Sequence, residues 1–264
     1  MEKKETIGGI AETMLQTLYA RAKESGKPNP KIFDAKAIEI VQKMHYDFGP
    51  ADKDIVMSSG VVARTIVLDR MVKDYIAAHP DCTVINIACG MDTRFYRVDN
   101  GRIRWYNLDL PVTMAIRKKY IGENERVTPI EASAMDSAWT DKIETGCGPI
   151  LVIVEGLTMY LDESEVKQIL TVIDAGFPAA TVYMEILNPL FVKKNLEKSI
   201  RQSGAVFTYG ARSGQALADL APSFHWIEDR SLVEGMVEIA PVYKILGKIP
   251  FIQNLSNKIC VLEK

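Results

Sequence analysis

One stretch constrains the fold of this 264-residue chain more than any other, namely Val84-Ile85-Asn86-Ile87-Ala88-Cys89-Gly90-Met91-Asp92-Thr93-Arg94. An apolar strand there runs into a glycine turn and then into a polar helix start. Open α/β sheets hold nucleotide-like ligands at such junctions. Gly90 carries no Cβ, so the backbone can approach a ligand closely. Asp92 or Thr93 can cap the following helix, whose free N–H groups and positive dipole end attract an anionic or polar group. A tight turn with a purely structural role would use the same residues.

A second signal is Arg104-Trp105-Tyr106-Asn107-Leu108-Asp109, a short strand-like run that ends in a carboxylate and is stopped by Pro111. Asp109 follows Gly90 by 19 positions. A spacing of about 20 puts an acid at the tip of the neighbouring strand, within reach of a ribose diol. Asp109 can equally cap the helix that Leu110-Pro111 begins. The loop lacks G-x-G-x-x-G, with Ala88 at the first glycine position and Thr93 at the last. A pyrophosphate needs the close approach those glycines allow, so NAD and FAD are disfavoured. S-adenosylmethionine has the ribose and adenine without phosphates.

Around these two runs the pattern predicts alternating strands and helices. Ile10, Met14, Leu15, Leu18 and Tyr19 fall at helical spacing, ended by Ser25-Gly26-Lys27-Pro28-Asn29-Pro30. Further helices are expected over about 34–45 and 58–78, before the first strand. A helix near 112–120, strands near 127–131 and 150–154, a helix near 163–175 and a strand near 181–186 follow. Such alternation, rich in Val and Ile, argues for a mostly parallel sheet covered on both faces. Asn257 to Glu263 reads as a last, antiparallel edge strand, and a helix is expected near 214–220. The whole reads as one domain over 1–264, with a helical cap and lead-in over 1–80 and a sheet core over 81–264 that carries a helical insertion at about 190–247.

A chain that is 47% apolar and 25% charged is ample for one large core. The formal net charge of −2 and the lack of a dense Lys/Arg run give no footprint for nucleic acid. Cys82, Cys89, Cys147 and Cys260 form no C-x-x-C pair, and three scattered histidines do not complete a zinc site, so no metal is expected. Cys89 reads as a small buried loop residue. The start, Met1-Glu2-Lys3-Lys4-Glu5, leads into no long apolar core, and the aliphatic run Ile150 to Val154 is too short to span a membrane. A cytoplasmic enzyme with reduced thiols is the expectation.

Four blocks in order carry a family resemblance: Ala63-Arg64-Thr65, Ala88 to Arg94, Asn107-Leu108-Asp109-Leu110-Pro111, and Glu155-Gly156-Leu157-Thr158-Met159-Tyr160-Leu161. The chain resembles the leucine carboxyl methyltransferase family, including its bacterial branch of polyketide O-methyltransferases. The resemblance implies a doubly wound, Rossmann-like class I methyltransferase sheet with added N-terminal helices, and S-adenosyl-L-methionine as donor. It implies that Arg64 grips the donor's methionine carboxylate, Gly90 passes beneath it, Asp109 holds the ribose and Glu155 lies near the transferred methyl. Arg64 as a surface arginine paired with Asp69, and Glu155 as a cap of the next turn, are the rival readings.

Relatives often show Asp-Leu where this chain has Ala134-Met135, so the carboxylate that would meet the adenine amino group is missing. Asp136 or backbone groups are the candidates to replace it. Asn107 likewise replaces an acid common in relatives. Ala88, Leu110 and the segment from Ser133 to Asp136 complete the expected cofactor site, with Asn188 at the next strand tip. Tyr160, Glu155 and His225 are the residues to inspect for acid–base work on the acceptor. The expected reaction is O-methylation of a carboxylate or hydroxyl on a small, polyketide-like acceptor. Methylation of a protein's terminal carboxylate and a nicotinamide-dependent reductase are the alternatives.

Overall fold

The computed structural model describes residues 10–122, 124–146, 148–194 and 206–264. Met1 to Glu5, Cys147 and residues 195–205 of the expected insertion lie outside the described residues. Helices α1 (Ile10–Ser25), α2 (Ala35–Lys43), α3 (Gly49–Lys53) and α4 (Ile55–Ala78) precede the first strand. The sheet follows as β1 (Thr83–Ile87), α5 (Phe95–Val98), β2 (Arg104–Asp109), α6 (Pro111–Tyr120) and β3 (Val127–Glu131). It continues as β4 (Ile150–Val154), α7 (Glu163–Gly176), β5 (Thr181–Ile186) and α8 (Pro189–Lys194). Last come α9 (Gly214–Leu220), β6 (His225–Ser231), α10 (Val233–Ile239), short helices at Tyr243–Leu246 and Pro250–Leu255, and β7 (Lys258–Glu263).

The seven strands form one sheet in the order β3-β2-β1-β4-β5-β7-β6. β3, β2, β1, β4 and β5 are parallel, and the order reverses between β1 and β4. β7 is antiparallel to β5, as the sequence predicts, but it is not the edge: β6 pairs antiparallel outside it. The segment expected to be a helical insertion therefore contributes a strand. Pro129 interrupts no ladder at cost, because β3 is the other edge of the sheet.

Alternate residues of the buried strands serve opposite faces. Ile85, Ile87, Val152 and Val154 pack with Val166, Ile169, Leu170 and Ile173 of α7 and with Leu217 of α9. Val84, Trp105, Leu151 and Ile153 pack with Leu68, Met71, Val72 and Tyr75 of α4. Start signals fix where the helices begin: Asp34 and Asp54 accept backbone N–H bonds at the N-termini of α2 and α4, and Asp162 with Glu165 forms a capping box on α7. Gly235 of α10 lies so close to α4 that a Cβ would sit 2.2 Å from the Ala63 carbonyl oxygen. That contact fixes the turn of α4 that carries Arg64. Among the described residues no helix is long and apolar enough to cross a membrane.

Candidate active site

The strand tips open into one cavity of about 410 Å³. It is walled by α1 and α4 on one side and by the turns after β1, β2, β3 and β4 on the other. The helices before the first strand thus contribute walls, but only α1 and α4 do so. This is where doubly wound sheets place a ligand, beside the point where the strand order reverses.

Gly90 has φ of 48°, and a Cβ there would meet Met14 at 3.1 Å. Ala88 has φ of 52°, the one positive value outside glycine among the described residues, so the loop holds a conformation that costs a side chain energy. Asp109 closes the loop: its Oδ2 accepts from the Gly90 N–H at 2.7 Å and its Oδ1 from the Leu110 N–H at 2.7 Å. Burial raises the Asp109 pKa despite these bonds. Arg117 donates to the carbonyl oxygens of Gly90 and Asp92, at 3.1 and 2.7 Å.

The expected helix dipole after this loop is absent. α5 spans only four residues, and neither Asp92 nor Thr93 caps it. Asp92 Oδ1 accepts from the Arg94 N–H at 3.0 Å, while the Thr93 hydroxyl donates to Asp34 at 2.6 Å. These side chains belong instead to a buried ionic network. Arg94, 1% exposed, pairs with Asp69, Asp92 and Glu155 at 2.7, 3.0 and 2.7 Å. Arg97 pairs with Asp34 at 2.7 Å and Asp69 at 2.6 Å, and Arg21 with Asp34 at 3.0 Å.

Arg64 joins this network rather than the surface, and it does not pair with Asp69. Its Nε lies 2.6 Å from Glu155, and its Nη1 donates to Glu185 at 2.8 Å. Glu155 sits just past β4, facing the cavity. Burial works against its charge, yet Arg64 and Arg94 outweigh burial and hold its pKa below the ordinary value. Glu185 was not singled out by the sequence pattern, which places the tip of β5 at Asn188. Asn188 instead donates to the Asn254 carbonyl oxygen at 2.5 Å, outside the cavity. The signal was present: a lone carboxylate inside Thr181 to Ile186 is expensive to bury and must have partners.

Ala88, Leu110, Ala134 and Met135 all line the cavity. Asp136 does not: its carboxylate accepts from the Ala138 N–H at 3.0 Å and starts the 3₁₀ turn Ser137–Lys142. Its carboxylate is engaged in this local cap. Cys89 is buried in the loop with its Sγ 3.8 Å from Met114 Sδ. Tyr160 lines the cavity and packs on Phe207, ring centroids 5.5 Å apart. His225 is exposed on β6, opposite Glu263, and is no candidate for acid–base work in this cavity.

Comparison with known proteins decides the family. The family model described as "Leucine carboxyl methyltransferase" matches residues 14–174. The chain belongs to that family. It is 30% identical over 248 residues to the tetracenomycin polyketide synthesis O-methyltransferase TcmP of Streptomyces glaucescens, covering 91% of this chain and 90% of that one. It is 29% identical over 250 residues to an S-adenosyl-L-methionine-dependent methyltransferase of Gibberella zeae, covering 85% and 83%. Among solved structures, a DUF574 family protein from Streptomyces avermitilis superposes with a TM-score of 0.63 at 11% identity, covering 96% and 97%. An S-adenosylmethionine-dependent methyltransferase from Mesorhizobium loti superposes with a TM-score of 0.52 at 11% identity, covering 76% and 97%. These two show the fold.

This leucine carboxyl methyltransferase family member is an S-adenosylmethionine-dependent methyltransferase, and the reductase alternative falls away. The residues present fit that donor. The loop from Ala88 to Gly90 offers backbone at close range, Asp109 stands at the tip of β2, and the paired Arg64 and Glu155 line the same cavity.

Proposed function

We propose that the enzyme methylates an oxygen, carboxylate or hydroxyl, of a small polyketide-like acceptor. The observation that carries this reading is the apolar part of the lining: Met57, Val61, Leu157, Met159, Tyr160 and Phe207 face the cavity with apolar and aromatic surface. A planar, largely apolar acceptor suits that wall. The relative from Streptomyces glaucescens, named for polyketide O-methylation, supports it.

Arg64 holds the donor's carboxylate end, with Glu155 beside the amino group. Ala88 and Gly90 pass under the donor, Asp109 takes the ribose, and Leu110, Ala134 and Met135 flank the base, which backbone groups read. The bound donor supplies an electrophilic methyl on a sulfonium, whose S–C electron pair stays with sulfur as the acceptor oxygen bonds carbon. The protein's part is alignment in a dry pocket, an effect that can supply about 7–11 kcal/mol of a barrier. A carboxylate acceptor needs no base because it is already ionised at neutral pH. For a hydroxyl acceptor, Tyr160 and Glu155, which line the cavity, are the groups proposed to take part. The N-terminal helices act as a cap within one catalytic unit over the whole chain, working in the cytoplasm.

Calorimetric titration tests the donor site: micromolar S-adenosylmethionine binding is expected for the intact chain, and Asp109→Ala should weaken it by at least about tenfold. No heat with the intact chain contradicts the reading.

A further inference from the structure

The buried ionic network that reaches the cavity through Arg21, Arg64, Asp92, Glu155 and Glu185 holds more acids than bases. Asp34, Asp69, Asp92, Glu155 and Glu185 are ion-paired with Arg21, Arg64, Arg94 and Arg97, five carboxylates against four guanidiniums among the described residues. Asp109 and Arg117, beside this network, add one charge of each sign.

The surplus falls at Glu185. Glu155 is shared by two guanidiniums, of Arg64 and Arg94, whereas Glu185 has, among the described residues, that of Arg64 alone. The side chain of Glu185 is 1% exposed, so water does little to screen it. One of its oxygens, Oε2, accepts from both the Gly156 N–H at 2.8 Å and Arg64 Nη1 at 2.8 Å, and its carbonyl oxygen accepts from the Thr158 hydroxyl at 2.7 Å. It thus ties β5 to the turn after β4 and to α4. Burial works against its charge, Arg64 favours it and the neighbouring Glu155 opposes it, so its pKa lies above the ordinary carboxylate value. Arg64, Glu155, Gly156 and Glu185 all line the cavity, so a cation that balanced this surplus would arrive from there.

S-adenosylmethionine carries one net positive charge, from a sulfonium, an ammonium and a carboxylate. S-adenosylhomocysteine, left after transfer, is a neutral thioether with net charge zero. We propose that Glu185 is a positioning and specificity residue by which the site distinguishes the cationic donor from its demethylated product: it orients Arg64 and Gly156 and supplies the negative charge that only the sulfonium neutralises. The inference rests on the methyltransferase reading of the cavity. Loss of the sulfonium charge on transfer then leaves the surplus unbalanced again and favours release of the product.

The test is calorimetric titration of the full chain with three probes: S-adenosylmethionine, sinefungin, which replaces the sulfonium by an amine-bearing carbon that is also cationic, and S-adenosylhomocysteine. Glu185→Gln, nearly the same size and still able to accept from Gly156, is expected to weaken the two cationic probes by about tenfold and the thioether by less than about twofold. Glu185→Asp keeps the charge and is expected to keep the wild-type ratio of affinities even where it weakens all three. Equal weakening of all probes by Glu185→Gln, or a ratio altered by Glu185→Asp, overturns the proposal. If Glu185→Gln does not fold, a wild-type ratio in Glu185→Asp supports it and a changed ratio overturns it. Failure of the wild-type chain to bind any of the three overturns instead the donor reading on which the proposal stands.

Discussion

Two parts of the cavity lining are built from opposite chemistry. In one, Arg64, Glu155 and Glu185 line the cavity and meet, with Arg94 buried behind them, in a network whose partners come from α1, α4, the β1 loop and the ends of β4 and β5. In the other, Val56, Met57 and Val61, on the same helix as Arg64, join Leu157, Met159 and Phe207 in presenting apolar side chains. The difference teaches where the site is rigid and where it is free to change. Buried charges hold only in pairs, so the charged side tolerates little substitution. Apolar surface is non-directional, so the other side can be reshaped for a different acceptor without loss of the fold.

The largest expected effect strikes the charged side. Arg94→Ala leaves Asp69, Asp92 and Glu155 facing one another without their shared cation, and unfolding in urea should show a loss of about 3–5 kcal/mol. A loss below about 1 kcal/mol would mean the network is incidental to the fold.

Acid sharpens the same contrast. The Asp34, Asp92 and Glu155 pKa values are held below their ordinary values, by neighbouring arginines that outweigh burial. Depressed carboxylates contribute stability that is present above the unfolded-state pKa of about 4 and lost as pH falls through the folded values. Asp109 and Glu185 are raised by burial, so they act in the opposite sense and soften the loss. Melting temperature should therefore fall as pH drops below about 4, and the fall should be shallower in Arg94→Ala. An unchanged slope in the variant would show that the network does not set it.

The apolar side should respond in activity rather than stability. Val56, 78% exposed at the mouth of the cavity and in the first turn of α4, tolerates Asp with a stability change within about 0.5 kcal/mol. Acceptor KM is expected to rise by about tenfold or more, while the donor Kd stays within about twofold. A change confined to donor affinity would move the acceptor away from this wall.

The smallest effect is expected at the loop that both sides share. Ala88→Gly relieves a positive φ, and unfolding free energy should rise by up to about 1 kcal/mol. A clear loss would show that the Ala88 methyl packs to advantage.

The sheet was legible wherever burial wrote a continuous pattern. Ile150 to Val154 is buried at every position, and its apolar run shows it. β6 was not legible, because His225-Trp226-Ile227-Glu228 at the sheet edge is exposed and carries no alternation. α5 was expected to be a capped helix, since Asp92 and Thr93 are good capping residues. Their side chains went instead to Arg94, Arg97 and Asp34, partners whose proximity depends on how α2, α4 and the β1 loop come together. Arg64, Gly90, Asp109 and Glu155, which strand ends and family blocks mark, all line the cavity. Glu185 was missed because its meaning lies in Arg64, 121 positions away. Asp136 shows that a carboxylate near a strand tip can serve a local turn, here the one that begins at Ser137.

The central claim, methyl transfer from S-adenosylmethionine to an oxygen of a small apolar acceptor, is tested most directly by isotope transfer. The chain is incubated with a donor deuterated in its methyl group and a panel of aromatic polyketides bearing carboxylates and hydroxyls, and the products are read by mass spectrometry. One deuterated methyl appearing on an oxygen of a panel member, as an ester or ether, is the predicted result. Label found only on nitrogen, carbon or protein, or no label at all while the donor binds, would contradict it.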